Sequence, residues 1–177
     1  MTRGNPTEGS AKPREMRRLA LSLLVLWLAF GAAAATAGEL QPFTGASLPA
    51  IQKQFAGRPF ILTLWSLTCH HCVKELQMLG RLARSERSLP LVIVSTDTPA
   101  EAREIRAALK RFGLQRFDTW VFDDTVPERL RYAIDPAWRG ELPRSYLFDP
   151  AHRREAHSGL LGEAQLRDWL RRNRPAK

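Results

Sequence analysis

The alternation of apolar runs with amphipathic segments is the feature that most restricts the fold of this chain. Residues 60–65 and 89–95 are two nearly unbroken apolar runs, as expected for strands buried on both faces. Between them, residues 69–84 place leucines and an alanine at helical spacing. Since parallel strands need a crossover connection, this order predicts α/β architecture with a largely parallel sheet.

Turn and capping signals place the remaining elements. Thr98 and Glu101 form a capping box around Pro99, which opens a helix that Gly113 closes. The other predicted strands cover residues 118–123, 145–149 and 155–160, and the other predicted helices cover residues 50–56, 127–133 and 163–172. Residues 39–49 show no periodic pattern and are predicted to be irregular.

The first 37 residues have the pattern of an export signal. Arg17 and Arg18 precede an apolar run over residues 19–37 that ends in Ala-Thr-Ala, and the fit is best if synthesis begins at Met16. We expect a cleaved signal peptide or, as the alternative, a membrane anchor. The predicted domains are therefore residues 1–37 and 38–177, with the second in the periplasm or cell envelope, an oxidising compartment.

The positive charge of the chain does not indicate a nucleic-acid partner. The net charge is +9, but no basic stretch alternates with aromatic residues and no finger or recognition-helix motif is present. We predict a solvated basic surface and no nucleic-acid binding. Anionic lipid headgroups and an acidic partner stay open.

Cys69 and Cys72 are the chain's only cysteines, and their spacing favours a reactive pair over a structural disulfide. A disulfide that closes so short a loop removes little entropy from the unfolded chain. The pair opens a predicted helix after the strand that ends at Trp65, where unpaired N–H groups favour a thiolate. We expect Cys69 to be exposed and to attack a substrate disulfide, Cys72 to be buried and to resolve the mixed disulfide, and Trp65 to pack beneath the loop.

Two histidines stand between the cysteines. Imidazoles at His70 and His71 would stabilise a thiolate and so make the couple more oxidising. Cysteine and histidine also suit Cu(I) or Zn, and a metallochaperone is the alternative function. Because four adjacent residues at a helix start cannot all reach one ion and no second ligand cluster follows, we predict no metal and no other cofactor. A peroxidase would need arginine and threonine around its cysteine, and this loop lacks them.

The loop W-x-x-x-C-x-x-C, Glu75 three residues after the second cysteine, and Leu142-Pro143 before a strand together resemble the thioredoxin superfamily. The similarity is to its exported or membrane-tethered TlpA/ResA-like branch and spans residues 40–173. It implies a thioredoxin-like fold with a central mixed, mostly parallel sheet flanked by helices. It also implies a protein-disulfide oxidoreductase that exchanges disulfides with protein thiols and has a membrane electron-transfer partner.

The resemblance also assigns roles to single residues. It implies a cis peptide bond between Leu142 and Pro143, which leaves the Leu142 backbone free to pair with an extended substrate. Glu75 has two readings: a partner of the helix dipole or, if buried, an acid that takes a proton during exchange. Arg144 stands where threonine is common in the family, and we expect it to alter the substrate groove.

The direction of electron flow is left open by the sequence. The family suggests cytochrome c maturation or thiol homeostasis in the envelope, both of which need a reductant. His71 occupies the position that histidine holds in oxidising C-x-H-C proteins, which favours the opposite direction. A binding module that keeps the fold without turnover is a further alternative.

Overall fold

Six strands form one mixed sheet in the part of the chain that the computed structural model describes, which is Met1 and residues 39–173. The strands are β1 (Leu40–Phe43), β2 (Phe60–Trp65), β3 (Leu91–Ser95), β4 (Asp118–Phe122), β5 (Arg144–Phe148) and β6 (Arg154–Ser158). Their order across the sheet is β1-β4-β3-β2-β5-β6. The first four in that order run parallel, and β5 and β6 are antiparallel to their neighbours. The prediction of a mixed, mostly parallel sheet is confirmed.

Five α-helices accompany these strands in the described residues, four of them between strands and the last after β6. They are α1 (Ser47–Gln54), α2 (His70–Ser85), α3 (Ala102–Arg111), α4 (Pro127–Ile134) and α5 (Glu163–Arg172). The predicted capping box is present, since the Thr98 amide donates to Glu101 Oε2 at 2.8 Å. It opens a single 3₁₀ turn, Pro99–Glu101, that leads into α3.

The sheet separates two hydrophobic layers. On one face, side chains of α2, α3 and α5 pack on the sheet, and this layer contains Trp65 and Cys72. On the other face, Leu130 and Ile134 of α4 pack with Ile51 of α1. Every residue of β2 is buried because layers cover both its faces, and this explains its unbroken apolar sequence.

The prediction that residues 39–49 are irregular was wrong. They contain β1 and the first turn of α1, which begins at Ser47 rather than at residue 50. β1 lies at the sheet edge and pairs only with β4, so Pro42 costs no ladder hydrogen bond to a second neighbour. An edge strand this short, with a proline in it, lacks the apolar alternation on which the prediction relied.

Gly80 allows α2 and the end of α3 to approach closely. A Cβ at this position would lie 2.1 Å from the Phe112 carbonyl oxygen, well inside contact distance. Glycine weakens a helix interior by roughly 1 kcal/mol relative to alanine. Here the missing side chain is what permits the packing of the two helices.

No helix among the described residues is long and apolar enough to cross a membrane. The predicted signal or anchor at residues 19–37 lies outside the described residues, so the division between residues 37 and 38 stays a prediction.

Candidate active site

The two cysteines lie where the C-terminal ends of the parallel strands meet, at a border of the sheet that we call the dithiol edge. β2 ends at Trp65, and a four-residue loop leads to the start of α2. Polar groups hold this loop: the Leu67 amide donates to Asp97 Oδ2 at 2.9 Å, and the Ser66 and Thr68 hydroxyls lie 2.9 Å apart. The loop is therefore tied to the end of β3 as well as to β2.

Cys69 and Cys72 form a disulfide at the start of α2. Cys69 is the N-cap residue, with extended backbone angles, and its Sγ accepts a hydrogen bond from the Cys72 amide at 3.1 Å. Cys69 is partly exposed, whereas Cys72 is fully buried. An N–H group aimed at Sγ from a helix N-terminus stabilises negative charge on that sulfur when the bond is reduced.

Glu75 is buried in the core layer that contains Cys72, one helical turn farther along α2. Its side chain is 1% exposed, and its Oε2 accepts a hydrogen bond from the Leu161 amide at 3.0 Å. Its Oε1 has no hydrogen-bond partner among the described residues. Burial raises the pKa of Glu75 to about 7, while the Leu161 amide and then the Ser145 side chain act in the opposite direction.

The position of Glu75 along α2 bears on its two readings, both of which stay predictions. Since α2 begins at His70, Glu75 is its sixth residue and lies beyond the first turn, where the helix dipole acts. Its burial and its raised pKa, about 7, are the conditions that the second reading requires.

Leu142 and Pro143 lie at the same edge of the sheet as the cysteines. Arg144 pairs with Leu64 of β2, so the peptide before β5 lies beside the end of β2, from which the dithiol loop begins. The Leu142–Pro143 bond is cis, as the resemblance implied. Within the described residues the Leu142 backbone makes no hydrogen bond, which leaves its N–H and C=O available to a partner strand.

His70 and His71 are both exposed, with ring centroids 6.2 Å apart. In the described part of the chain neither imidazole is hydrogen-bonded to a cysteine sulfur. Trp65 is buried in the core layer of Cys72, and its indole Nε1 has no hydrogen-bond partner in the same region. The influence of these three side chains on the thiolate stays a prediction.

The expectation that Arg144 shapes the substrate groove was wrong. Its side chain points to the opposite face of the sheet, where it pairs with Asp135 at 2.9 Å and stacks on the Tyr146 ring. Alternate residues of a strand face opposite sides, so the residue after Pro143 turns away from the layer that holds the cysteines. Arg144 therefore contributes to the packing of the segment before β5.

Several polar groups near Glu75 were not predicted. Thr63 and Ser145, on the adjacent strands β2 and β5, share a hydrogen bond of 3.1 Å between their hydroxyls, and both side chains are fully buried. The backbone amide of Leu161 donates to Glu75, and a backbone group of this kind cannot be recognised from the sequence. Thr63 could have been noticed, because it is the single polar residue in an otherwise apolar run.

Metal binding has no support from the geometry. Within residues 39–173, no three His, Cys, Asp or Glu side chains are arranged so that they could hold a metal ion. The two sulfurs are engaged with each other in the disulfide.

Solved structures show what this architecture resembles. A secreted Mycobacterium tuberculosis disulfide oxidoreductase, homologous to E. coli DsbE, aligns over 68% of this chain and 85% of its own, with 15% identity and a TM-score of 0.51. The dsbF protein of MTB aligns over 69% and 85%, with 14% identity and a TM-score of 0.53. A thiol:disulfide interchange protein of the thioredoxin family from Chlorobium tepidum aligns over 69% and 83%, with 15% identity and a TM-score of 0.54.

These similarities establish a thioredoxin-like fold for residues that cover about two thirds of the chain. No family model matches the chain, and no curated protein sequence matches it.

Proposed function

We propose that this protein is an exported thiol–disulfide oxidoreductase that exchanges disulfides with protein substrates through Cys69 and Cys72. The observation that carries the proposal is the disulfide at the helix start, with Cys69 Sγ accepting the Cys72 amide and the cis Leu142–Pro143 peptide at the same sheet edge. The proteins of similar structure described above are disulfide oxidoreductases or thiol:disulfide interchange proteins by name, which supports the same chemistry here.

The exchange proceeds in two attacks. In the reduced protein the Cys69 thiolate attacks one sulfur of a substrate disulfide, forming a mixed disulfide and releasing a substrate thiolate that takes a proton. The Cys72 sulfur then attacks Cys69 Sγ, which re-forms the Cys69–Cys72 disulfide and releases the second substrate thiolate. Two electrons and two protons pass to the substrate, and the reverse sequence oxidises a substrate dithiol.

In this proposal Glu75 is the base that takes the proton of Cys72 before the second attack. Cys72 is fully buried and must lose its proton before it can act as a nucleophile. A carboxyl with a pKa of about 7, one helical turn away, can take that proton at neutral pH and return it in the reverse reaction. Leu142 binds the substrate segment through its free backbone groups, next to the exposed face of Cys69.

The compartment and the electron flow are further parts of the proposal. The export pattern of residues 1–37 supports the periplasm or cell envelope, with a membrane protein as redox partner. For a reductant the substrates would be envelope thiols, including those handled in cytochrome c maturation. The redox state of the Cys69–Cys72 pair in cells distinguishes the directions, since a maintained reductant is mostly reduced and an oxidant is mostly oxidised.

Trapping of the mixed disulfide tests the activity. Cys72→Ala should retain the first attack and lose the second, so Cys69 should accumulate covalent adducts with disulfide-containing proteins. The control is Cys69→Ala, which leaves a buried thiol and should trap nothing. The proposal is refuted in favour of a binding module if two results are found together. The Cys72→Ala variant forms no reducible adduct, and the wild-type protein neither reduces insulin disulfides nor oxidises a reduced substrate.

A further inference from the structure

The C-terminal ends of four helices lie together at the edge of the sheet opposite the cysteines, because of the way the strands are connected. α1, α2 and α3 each follow the end of one parallel strand and precede the start of the next. α5 follows β6, whose last residue, Ser158, pairs with Arg144 at the edge that holds the dithiol loop. These four helices therefore end beside the starts of β2, β3 and β4, a region that we call the distal end.

Contacts confirm this placement for the starts of two strands. The Arg116 guanidinium, two residues before β4, donates to the Ala83 carbonyl at 2.7 Å and to the Arg87 carbonyl at 3.1 Å. Ala83 lies in the last turn of α2, and Arg87 lies between α2 and β3. The end of α2 and the segments that lead into β3 and β4 are thus neighbours.

Basic residues concentrate at the distal end. The last turns of the four helices carry Lys53, Arg84, Lys110, Arg111, Arg171 and Arg172. The segments that lead into the strands add Arg58, Arg87 and Arg116. Acidic residues occur in both regions: Glu104 lies in the first turn of α3, near the dithiol edge, whereas Glu86 pairs with Arg167 just after α2 and Glu163 pairs with Arg81 in the last third of α2. The basic last turns suit the dipoles of their own helices, and because these helices run in the same direction their basic ends lie together.

Much of this positive charge is not neutralised. Arg84, Arg87 and Arg111 are exposed, and none of them forms an ion pair with a described residue. Arg171 and Arg172 differ, since both pair with Asp168. Arg84 and Arg87 lie at the end of α2, and Arg111 lines a surface depression with Arg84, nearer the middle of the domain. Guanidinium groups gathered in this way attract an anionic surface more strongly than the same charges scattered over the domain.

The polypeptide also enters the domain at the distal end. Leu40, the first residue of β1, pairs with Thr119 near the start of β4. In the sequence, two residues separate Leu40 from the apolar run at residues 19–37. The described domain therefore begins at the distal end.

We infer that the distal end is a docking surface for an anionic phospholipid bilayer, with the dithiol edge facing away from the membrane. Lysine and arginine side chains near an anionic leaflet strengthen binding roughly fivefold each, an effect that decays within a Debye length. Glu104 and Glu128, in first turns at the other edge, are repelled by the same surface. The basic end would thus set the orientation of the domain and present Cys69 to substrates, and to the part of a membrane redox partner, that stand above the bilayer surface.

Arginine footprinting on vesicles tests this inference with the full-length chain. The protein is reconstituted into vesicles of phosphatidylcholine, alone or mixed with phosphatidylglycerol, and its modification by phenylglyoxal is followed by mass spectrometry. Phosphatidylglycerol should slow modification of Arg84, Arg87 and Arg111 by about threefold or more, and high salt should abolish the protection. Arg103 and Arg129, near the dithiol edge, should be modified at the same rate on both vesicles.

Charge variants provide the matched comparison. In wild type, phosphatidylglycerol should protect Arg58 from phenylglyoxal at low salt. In the triple variant Arg84→Gln, Arg87→Gln, Arg111→Gln this protection should be lost. A control triple variant at the dithiol edge, Lys74→Gln, Arg103→Gln, Arg129→Gln, changes the net charge equally and should keep that protection.

Three outcomes would overturn the inference. Equal protection at both edges means that the domain has no preferred orientation, and equal protection on pure phosphatidylcholine means that charge does not set it. Absence of protection on anionic vesicles at low salt would leave an acidic protein as the occupant of the distal end. Thermal melting of both triple variants checks that they fold, and the wild-type footprint decides the matter even if a variant does not.

Discussion

Replacing Glu75 with glutamine should change how the stability of the oxidised protein depends on pH. Glu75 is buried with one carboxylate oxygen unpaired in the described structure, and burial raises its pKa from 4.5 to about 7. Below pH 4.5 the group is protonated in both the folded and the unfolded chain and has no effect on their balance. Between pH 4.5 and about 7 the unfolded chain releases this proton while the folded chain keeps it. Stability therefore falls as pH rises through this window.

The size of the loss follows from the pKa difference. Each pKa unit corresponds to about 1.4 kcal/mol, so the shift from 4.5 to about 7 costs about 3 kcal/mol once both forms are ionised. Glutamine cannot ionise, and it keeps an oxygen that can accept the Leu161 amide. The free energy of unfolding of the Glu75→Gln variant, minus that of wild type, should rise by about 3 kcal/mol from pH 4.5 to pH 8.

Urea unfolding of both proteins across this pH range measures that difference, because the other titrating groups cancel between them. The two cysteines are the only ones in the chain and are paired in the oxidised protein, so alkaline pH leaves no thiol to reshuffle the bond. Glu155→Gln, an exposed change on β6, is the control and should give a difference that does not vary with pH. A pH-independent difference for Glu75→Gln would refute the assignment of a buried, protonatable carboxyl.

Two further substitutions test the packing of the domain. Gly80→Ala should lower the melting temperature measurably, because the new Cβ would meet the Phe112 carbonyl at 2.1 Å and overpacking costs roughly 1–3 kcal/mol; an unchanged melting temperature would contradict the close helix contact. Asp135→Asn should destabilise the protein by roughly 2–3 kcal/mol in urea unfolding, because Arg144 and Arg154 lose a charged hydrogen-bond partner while Glu141 still pairs with Arg144. Asp168→Asn, which breaks exposed pairs, should cost less than about 1 kcal/mol, and equal losses at the two sites would refute the difference in burial.

The elements with strong local signals could be predicted from the sequence. β2 and β3 were visible as apolar runs because both faces of each strand are covered, and the start of α3 was visible through the capping box at Thr98. β1 was missed because an edge strand with Pro42 has neither alternation nor an apolar run. Its identity as a strand depends on the partner β4, which lies far away in the sequence.

In the candidate site, too, local features could be predicted and features that depend on distant residues could not. The cysteine pair and its position at a helix start follow from local sequence, and the cis bond at Pro143 followed from the family resemblance. The burial of Glu75 depends on the segment around Leu161, which lies 86 residues away. Arg144 was misplaced because the orientation of a strand residue depends on register, and a shift of one residue exchanges the two faces.

The two outer strands determine where an extended segment of another protein can join this domain. β6 is largely exposed but charged, with Arg154 and Glu155 on its surface, and such charges discourage pairing with a foreign strand. At the opposite border Pro42 withdraws one donor from the four-residue β1. Both borders of the described sheet therefore disfavour pairing with a foreign strand. In the function proposed above, a substrate strand would instead pair with the unpaired backbone at Leu142, at the sheet edge that holds the cysteines.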